Sequence, residues 1–398
     1  MDRARFAPEF AVLLDGQPIP AELRASIQGV RCQTGYEGLD EVELTIANEK
    51  LRWLDSPLFA LDMPLTLQLG YAPDPLVQVF DGDIVAHGAT FPSGGMSTVT
   101  VTAHDRRHNM SDGNKVRWFA IPVPTRGNLP LPDIATASIV TLENLMIPIF
   151  DPVGMALSII LGGVDMFVAV TDPGSAQKVI RKQDNESDYD FLNRLAAQNG
   201  WDILVQHDGP AGGHALRFTS SLDNLRENFS YGYGRSLIDF APRISKVGQL
   251  LTVGGFAWIP AIKTTFTVTL GFDWDRMALS LAIYPGIVPI GMKPGDYMIQ
   301  EPLTPTSLPR KLVSELIPRV NKRLTASGTV LGEPTLRAGD VLRIEGTGVE
   351  FGGLYRATSV THTIDGGGFR TRFGARKEIW FGSIPAPDQG ALPVRVSF

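Results

Sequence analysis

Apolar and polar residues alternate through much of the region 1–110, a pattern typical of strands with one buried face. In the segment 41–46, three aliphatic residues alternate with two glutamates and a threonine, and the segment 65–69 repeats the alternation. Gly94-Gly95 predicts a tight turn ahead of the β-branched run 98–102. Short alternating strands with glycine-marked turns favour a β-barrel or a β-sandwich.

A helical pattern replaces the alternation in the middle of the chain. Ser187 is the predicted N-cap, and Asp188 and Asp190 would lie in the first turn, where the helix dipole favours carboxylates. Gly200 is the predicted C-terminal stop. The apolar face of this helix would consist of Phe191, Leu192, Leu195 and Ala196. Two strands joined by a glycine-rich loop follow, so the pattern predicts a small α+β unit.

Strands resume after this unit, beginning at 236–240. The segment 256–306 is apolar, contains prolines, and is interpreted as an insertion. The segment 307–324 has the pattern of a helix that Pro318 must kink or end. The segment 336–376 then returns to strands.

Two of these strand regions resemble each other. The first contains Phe80-Asp81-Gly82 and then the hairpin glycines Gly94-Gly95. The second contains Phe351-Gly352-Gly353 and then the glycines 366–368 at nearly the same spacing. This repetition predicts two related β-domains, with a chance similarity between hairpins as the alternative. Two related domains in each chain would give a trimer six similar units around one axis.

The composition is that of an ordinary globular protein, with 43% hydrophobic and 20% charged residues. The formal net charge of −6 lacks the basic excess of a nucleic-acid-binding surface, and the pair Arg106-Arg107 is expected to lie on solvated surface. The single cysteine, Cys32, cannot form an intrachain disulfide or a Cys-x-x-Cys zinc site. We therefore expect Cys32 to be a buried small residue in a protein made in a reducing cytoplasm.

Two features of the sequence argue against a membrane protein. The first residues have no apolar core behind their charges, which argues against a signal peptide. The most apolar stretch, Leu145–Val170, is interrupted by prolines, glycines and aspartates, so a membrane span is disfavoured. We expect this stretch to be buried at a subunit contact, and we expect no stable membrane anchoring.

Three stretches carry a resemblance to a known family. The most specific is 183–200, which reads QDNESDYDFLNRLAAQNG, and the others are 69–84 and 351–362. In these stretches the chain resembles the late control gene D proteins of contractile phages. That tail hub family also includes the hub portion of VgrG proteins and of extracellular contractile injection systems. The resemblance covers about two thirds of the chain and leaves 111–175 and 256–306 unmatched.

The resemblance implies a mainly β fold with an α+β part, in which two related β-barrel domains flank a small α+β domain. It implies a non-enzymatic baseplate hub that forms a homotrimer, a pseudo-sixfold ring joining the sixfold inner tube to the threefold spike. The implied partners are a trimeric spike protein, an inner tube or tube-initiator protein, and the wedge proteins of the baseplate. The spike is expected to be a separate polypeptide, because the chain ends soon after its second strand region. Assembly is expected in the bacterial cytoplasm, within a virion tail or an injection particle.

The expected organisation has five parts. They are a first β-barrel hub domain at 1–110, an apolar, proline-rich insertion at 111–175, the α+β domain at 176–235, a second β-barrel hub domain at 236–380 carrying the insertion 256–306, and an extended C-terminal arm at 381–398.

The candidate functional residues are structural or interfacial. The segment Glu186-Ser187-Asp188, with Arg194, is expected to form a polar contact between domains or subunits. The full set is Phe80, Gly82, Glu186, Ser187, Asp188, Phe191, Leu192, Arg194, Leu195, Phe351, Gly353 and Tyr355, with Phe80, Gly82, Phe351 and Gly353 at the matched turns of the two β-domains.

Candidate catalytic or metal chemistry is sparse. His104 and His108 are four residues apart, but no third metal ligand is indicated. His362 lies in an alternating strand and is expected to be a hydrogen-bonded buried histidine. The glycine clusters 209–213 and 366–368 lack the sequence context of a phosphate loop, so no cofactor and no metal are expected.

Two other functions stay open. A glycan hydrolase of a tail tip would need a carboxylate pair, for which Glu186 and Asp188 are the candidates, although their place at a helix start explains them without catalysis. A binding module would contact a host surface or a cargo through 111–175 or 256–306.

Overall fold

The structure, a computed structural model, describes residues 7–121, 179–208, 212–213, 215–219, 224–245, 252–259, 263–273, 278–287, 296–300 and 307–382. The expectations for the apolar stretch Leu145–Val170 and for the C-terminal arm beyond Gly382 lie outside the described residues. No helix in the ranges above is long and apolar enough to cross a membrane.

The strands and helices follow one another along the chain in this order. The first region contains β1 (Ala7–Leu14), β2 (Gln17–Pro18), α1 (Ala21–Ser26), β3 (Ile27–Gly35), β4 (Glu41–Ala47), β5 (Pro64–Ala72), β6 (Val77–Thr90) and β7 (Thr98–His104). The middle contains β8 (Lys115–Ile121), β9 (Val179–Glu186), α2 (Asp188–Asn199), β10 (Asp202–Gln206) and β11 (Ala215–Thr219). Then come β12 (Phe229–Gly232), β13 (Leu237–Ile244), β14 (Thr252–Ile259), β15 (Thr264–Asp273), β16 (Ala278–Pro285), β17 (Tyr297–Met298) and α3 (Ser307–Val320). The last part contains β18 (Leu324–Leu331), β19 (Val341–Glu345), α4 (Gly348–Phe351), β20 (Gly353–Asp365) and β21 (Gly368–Arg376).

One 13-stranded sheet contains most of these strands, in the order β13-β18-β21-β20-β3-β4-β7-β6-β5-β1-β2, with β19 and β12 branching from β20. The alternation in the sequence explains the strands, since Val42, Leu44 and Ile46 are buried while Glu41, Glu43 and Thr45 are half-buried. The predicted mainly β class is confirmed.

The sheet contains the same six-stranded arrangement twice. The first copy is defined as β1 and β3–β7, and the second copy as β12, β13 and β18–β21. Their spatial orders are β1-β5-β6-β7-β4-β3 and β12-β19-β20-β21-β18-β13, so corresponding strands occupy corresponding places. The copies differ in their first strand, because β1 is antiparallel to β5 whereas β12 is parallel to β19.

The strand registers of the two copies also agree. Each copy has a register shift at the start of its second strand, between Ile27 and Gly29 in β3 and between Leu237 and Asp239 in β13. A second shift lies in β6 after Ile84 and in β20 after Ala357. One row of paired residues crosses the first copy through Gln33, Glu41, His104, Asp83 and Pro64, and the matching row crosses the second copy through Arg243, Thr325, Arg376, Arg356 and Val341.

These registers correct the Phe-x-Gly motif, which aligned the two strand regions in the sequence. Phe80 and Gly82 lie inside β6 and not at a turn, whereas Phe351 ends the short helix α4. The paired rows make Gly82 equivalent to Tyr355, so the Phe-x-Gly match is displaced by two residues. The displacement arises because the short helix α4 directly precedes β20 in the second copy, whereas no helix lies between β5 and β6 in the first copy, where every residue is described.

The α+β unit follows its sequence signals closely. The hydroxyl oxygen of Ser187 accepts a hydrogen bond from the Asp190 amide at 3.0 Å, which confirms the N-cap. Gly200 ends α2 with a left-handed backbone, φ +70°. The apolar face of α2 packs against β10 and β11 through Leu192, Ala196, Ile203 and Leu216.

A second sheet, β16-β15-β14-β17, occupies much of the segment that the sequence suggested was an insertion. Helix α3 packs on one face of it through Leu312 and Leu316, which share a core with Val253 and Leu270. Pro318 lies inside this helix, which ends two residues later at Val320.

Candidate functional site: the joint between the two copies

The two copies are joined by a β-ladder, here called the joint. The first part of β20, residues 353–356, pairs with β19, and the later part, residues 359–364, pairs with β3. Thr358 lies at the change, and its carbonyl oxygen accepts a hydrogen bond from the Tyr36 amide at 3.0 Å. Strand β20 therefore belongs to the second copy and also forms the neighbour of the first.

The joint is buried like a protein core. Cys32 and Val360 are fully buried, and Val30 is 2% exposed. The expectation of a buried small residue at Cys32 is confirmed, and burial raises the pKa of its thiol, with Asp40 adding to the effect. A Cβ added to Gly35 would lie 3.1 Å from the carbonyl oxygen of Thr358, so the backbones approach closely at this point.

His362 lies opposite Cys32 in the joint and is 1% exposed. One of its ring nitrogens, Nδ1, lies 3.0 Å from the hydroxyl of Thr371, which confirms the predicted buried, hydrogen-bonded histidine. Burial, together with the positive charge of Arg337, lowers the pKa of His362 to about 3. The ring is therefore neutral at physiological pH.

A group of buried polar and charged residues holds the α+β unit against the first copy. This Asp40 cluster consists of Asp40, Asp105, Arg107 and His207. His207 Nδ1 accepts a hydrogen bond from the Asp81 amide at 3.1 Å, so the proton is on Nε2, which donates to Asp40 Oδ2 at 2.7 Å. Asp105 accepts two hydrogen bonds from the guanidinium of Arg107, at 2.9 and 2.8 Å.

The unit is tied to the second copy as well. Arg376 donates a hydrogen bond to Asp202 of β10 at 2.7 Å, and its guanidinium lies 5.2 Å from the ring centre of Tyr36. Arg376 also pairs with Glu378, which receives a 2.9 Å hydrogen bond from the buried Arg356. The α+β unit thus contacts both copies close to the joint.

The sequence did not indicate the Asp40 cluster. Arg107 was expected on solvated surface, but that expectation is wrong, because Arg107 is 2% exposed and paired with Asp105. The local signal was Asp105-x-Arg107, in which Asp105 caps the 3-10 turn Arg106–Ser111. His207 lies in a different part of the sequence, so nothing near it pointed to Asp40.

The polar residues proposed around α2 lie mainly within the α+β unit. Arg194 Nε donates to Glu186 Oε2 at 3.1 Å, and the hydrogen bond from Arg194 lowers the pKa of Glu186. Asp188 accepts hydrogen bonds from Lys115 Nζ at 2.5 Å and from Gln183 at 2.9 Å. A carboxylate whose pKa is lowered by a cation is poorly suited to act as a general acid.

The apolar candidates are core residues, and one of them also contacts the Asp40 cluster. Phe191, Leu192 and Leu195 are buried on α2. The buried ring of Phe80 stacks on His207 at 5.1 Å between centres, so this residue supports the Asp40 cluster.

The candidates from the second copy lie around the start of β20. The hydroxyl of the buried Tyr355 donates to the carbonyl oxygen of the half-buried Phe351 at 2.6 Å. Gly353 has φ +112°, a conformation that a side chain would strain.

The histidines considered for a metal site have other contacts. His104 Nε2 lies 3.4 Å from Glu41 Oε2, and His108 Nδ1 lies 2.9 Å from the carbonyl oxygen of Asp105. Among the described residues, no group of three or more His, Cys, Asp or Glu side chains could hold a metal ion.

Comparisons with known proteins identify the fold. No protein-family model matches the chain, and no curated protein matches it. A tail protein from Neisseria meningitidis MC58 has a TM-score of 0.56 at 10% identity, over 94% of this chain and 98% of that protein. The 43 kDa tail protein of prophage MuSo2 from Shewanella oneidensis has a TM-score of 0.57 at 12% identity, over 93% and 98% of the two chains. The chain therefore has the fold of these two tail proteins.

Proposed function

We propose that this protein is the structural hub of a contractile tail or of a related injection particle. In this proposal three chains form a ring, which joins a sixfold inner tube on one face to a threefold spike on the other. The proposed domain organisation has five parts. They are a first hub domain at 1–110, an insertion at 111–175, an α+β domain at 176–235, a second hub domain at 236–380 with the insertion 256–306, and an arm at 381–398. The protein acts as an adaptor and not as an enzyme.

The duplication inside the chain is the observation that carries the proposal. Two copies with the same strand order and two corresponding register shifts lie side by side in one sheet. A threefold ring of such chains would present six similar sheets around its axis, which is what contact with a sixfold tube requires. The opposite face of the ring, formed by parts that are not duplicated, would have threefold symmetry only and would suit a trimeric spike.

The likeness to phage tail proteins supports the same assignment. The proposed partners are a trimeric spike protein, an inner tube or tube-initiator protein, and wedge proteins of the baseplate. The chain would be made in the bacterial cytoplasm and retained in the finished virion tail or injection particle.

The first test is the mass of the purified protein in solution. Light scattering would be measured at several concentrations, with the protein alone and with its spike protein. We expect a mass of three chains, either alone or once the spike is added, and electron-microscope class averages with six lobes and threefold symmetry. A monomer under both conditions would exclude the ring.

A second candidate function has one specific observation in its favour. Trp258 of β14 and Tyr284 of β16 are on the same face of the second sheet, and they are 49% and 41% exposed. Exposed aromatic side chains of this kind favour a contact with another protein, such as a wedge protein or a target-surface protein. Replacing both by serine should leave the mass in solution unchanged and weaken attachment of that partner. Unchanged attachment would remove this candidate.

A further inference from the structure

The two copies do not have equivalent neighbours. In the joint, β3 of the first copy pairs with the later part of β20 of the second copy. The strand equivalent to β3 is β13, and the segment equivalent to 359–364 of β20 is 86–91, at the end of β6 and just beyond it. An isolated bridge joins Tyr233 to Leu237 at the start of β13. In the part of the chain that the structure describes, no strand pairs with residues 240–244 at the outer edge of β13 or with the corresponding edge of 86–91.

The side chains show the same asymmetry for β3 and β13. Val30, Cys32 and Thr34 of β3 are all buried. Their equivalents in β13 are half-buried, although two of them, Phe240 and Ile244, pack against the core of the second copy. These equivalents are Phe240, Pro242 and Ile244.

The second edge repeats the pattern. Val360 and His362 of β20 are 0% and 1% exposed, whereas their equivalents His87 and Ala89 are exposed and half-buried. Phe91, at the position equivalent to Ile364, is 60% exposed. The β6 edge therefore carries Ala89, Phe91 and the imidazole of His87 in more exposed positions than their equivalents in the joint.

The backbone directions also fit a further ladder. The Tyr36 amide bonds to Thr358, and by strand alternation the amide of Cys32 also faces β20. On β13 the Ser245 amide bonds to Arg323 of the β18 side, so the backbone groups of Ile244 and Phe240 face the outer edge.

We propose that the edge of β6 formed by residues 86–91 in one chain pairs with β13 of a second copy of this chain, antiparallel and in the register of the joint. His87 would pair with Ile244, Ala89 with Pro242 and Phe91 with Phe240. This inference rests on the proposed function and adds to it the strands that make the subunit contact. Each chain offers both edges once, so the contact is head-to-tail, the kind of contact from which the threefold ring of the proposed function can be built.

Pro242 fits an edge that is paired only on assembly. It has no amide hydrogen, and its nitrogen faces the outer side of β13, where it costs no hydrogen bond within the chain. A proline at an open edge weakens uncontrolled pairing with other strands. The three proposed pairs would make two backbone hydrogen bonds each, or six in all. Because Pro242 has no amide hydrogen, five of the six can form.

Disulfide trapping tests the register directly. Thr90 and Ala241 would be directly opposite each other as a pair without mutual hydrogen bonds, at a Cα separation of about 4.5 Å, which a disulfide tolerates. The variant Thr90→Cys/Ala241→Cys should, on mild oxidation, give covalent dimers and trimers and lose the monomer band in a denaturing gel. The matched control is Arg31→Cys/Thr363→Cys, the equivalent pair inside the joint, which should form a disulfide within one chain.

The outcomes separate this inference from the proposed function. A trimer by light scattering whose Thr90→Cys/Ala241→Cys variant stays uncrosslinked, while the control pair oxidises, would overturn the strand pairing and leave the ring intact. A monomer at all concentrations, with and without spike, would overturn both.

Two proline variants give an independent test. Ala89→Pro should abolish association with little change in the melting temperature, because the Ala89 amide faces the outer edge. Pro242→Ala restores the missing donor and should lower the concentration for half-assembly about fivefold. Unchanged assembly in both variants would exclude this contact.

Discussion

Gly82 lies in β6 where this strand is closest to the end of β7. A Cβ built on Gly82 would be 2.2 Å from the carbonyl oxygen of His104 and 2.7 Å from the ring of Phe80. Backbone atoms cannot move away as a flexible side chain can, so glycine is required here for space and not for an unusual backbone angle.

We expect Gly82→Ala to lower the free energy of unfolding by about 3 kcal/mol, because β6 and β7 must separate to admit the methyl group. Chemical denaturation followed by circular dichroism would measure it. Gly29→Ala is the matched control in β3, since its added Cβ would meet only Thr45 at 3.9 Å. Equal losses for the two variants would contradict this explanation.

His362 makes stability depend on pH. Its pKa is lowered to about 3 in the folded protein, whereas an unfolded histidine titrates near 6.5. Below pH 6.5 the unfolded chain takes up a proton that the folded chain does not, so folding becomes less favourable by about 1.4 kcal/mol for each pH unit. Comparing His362→Gln with the natural protein between pH 7 and pH 5 isolates this effect, and identical pH profiles would contradict it.

Helix α2 shows how far local signals go at the scale of an element. Ser187, the acidic first turn and Gly200 gave its ends correctly, because a cap bonds only to residues next to it in sequence. The strand pair β10–β11 after it was predicted from the same kind of pattern. The partners of this unit were not predicted, since His207 and Asp202 bond to residues distant in sequence.

Ser187→Ala should destabilise α2 by about 1 kcal/mol, because the Asp190 amide would lose its partner in a buried site. Hydrogen exchange of the peptide 188–199 would speed up accordingly. The control is Ser230→Ala on the exposed part of β12, for which we expect a change near zero. Exchange in α2 that is the same in both variants would contradict the cap.

The whole molecule is held together by the continuous sheet. The copies share the joint, and the first core cluster includes Phe369 of the second copy. The α+β unit contacts both copies beside the joint, through the Asp40 cluster and through Arg376. Loosening the joint should therefore loosen both copies and not one alone.

Val360→Ala tests this coupling, because Val360 is fully buried and pairs with Thr34 across the joint. We expect a loss of about 1–3 kcal/mol, with faster hydrogen exchange in β4 of the first copy and in β18 of the second. Faster exchange in β18 alone would show that the copies unfold independently.

The sequence by itself indicated the strands of the two copies, the capped helix and the repetition, because periodicity, caps and hairpin glycines are properties of contiguous residues. It did not indicate β15 and β16, which lie in the segment interpreted as an insertion. It misplaced the match between the copies by two residues, since the short helix α4 shifts the motif relative to the strand register. Only the tertiary structure decided that β3 lies beside β20 and that Asp40 meets His207. Those neighbours depend on strand order and register, which bring distant residues together and leave no mark in the local pattern of either segment.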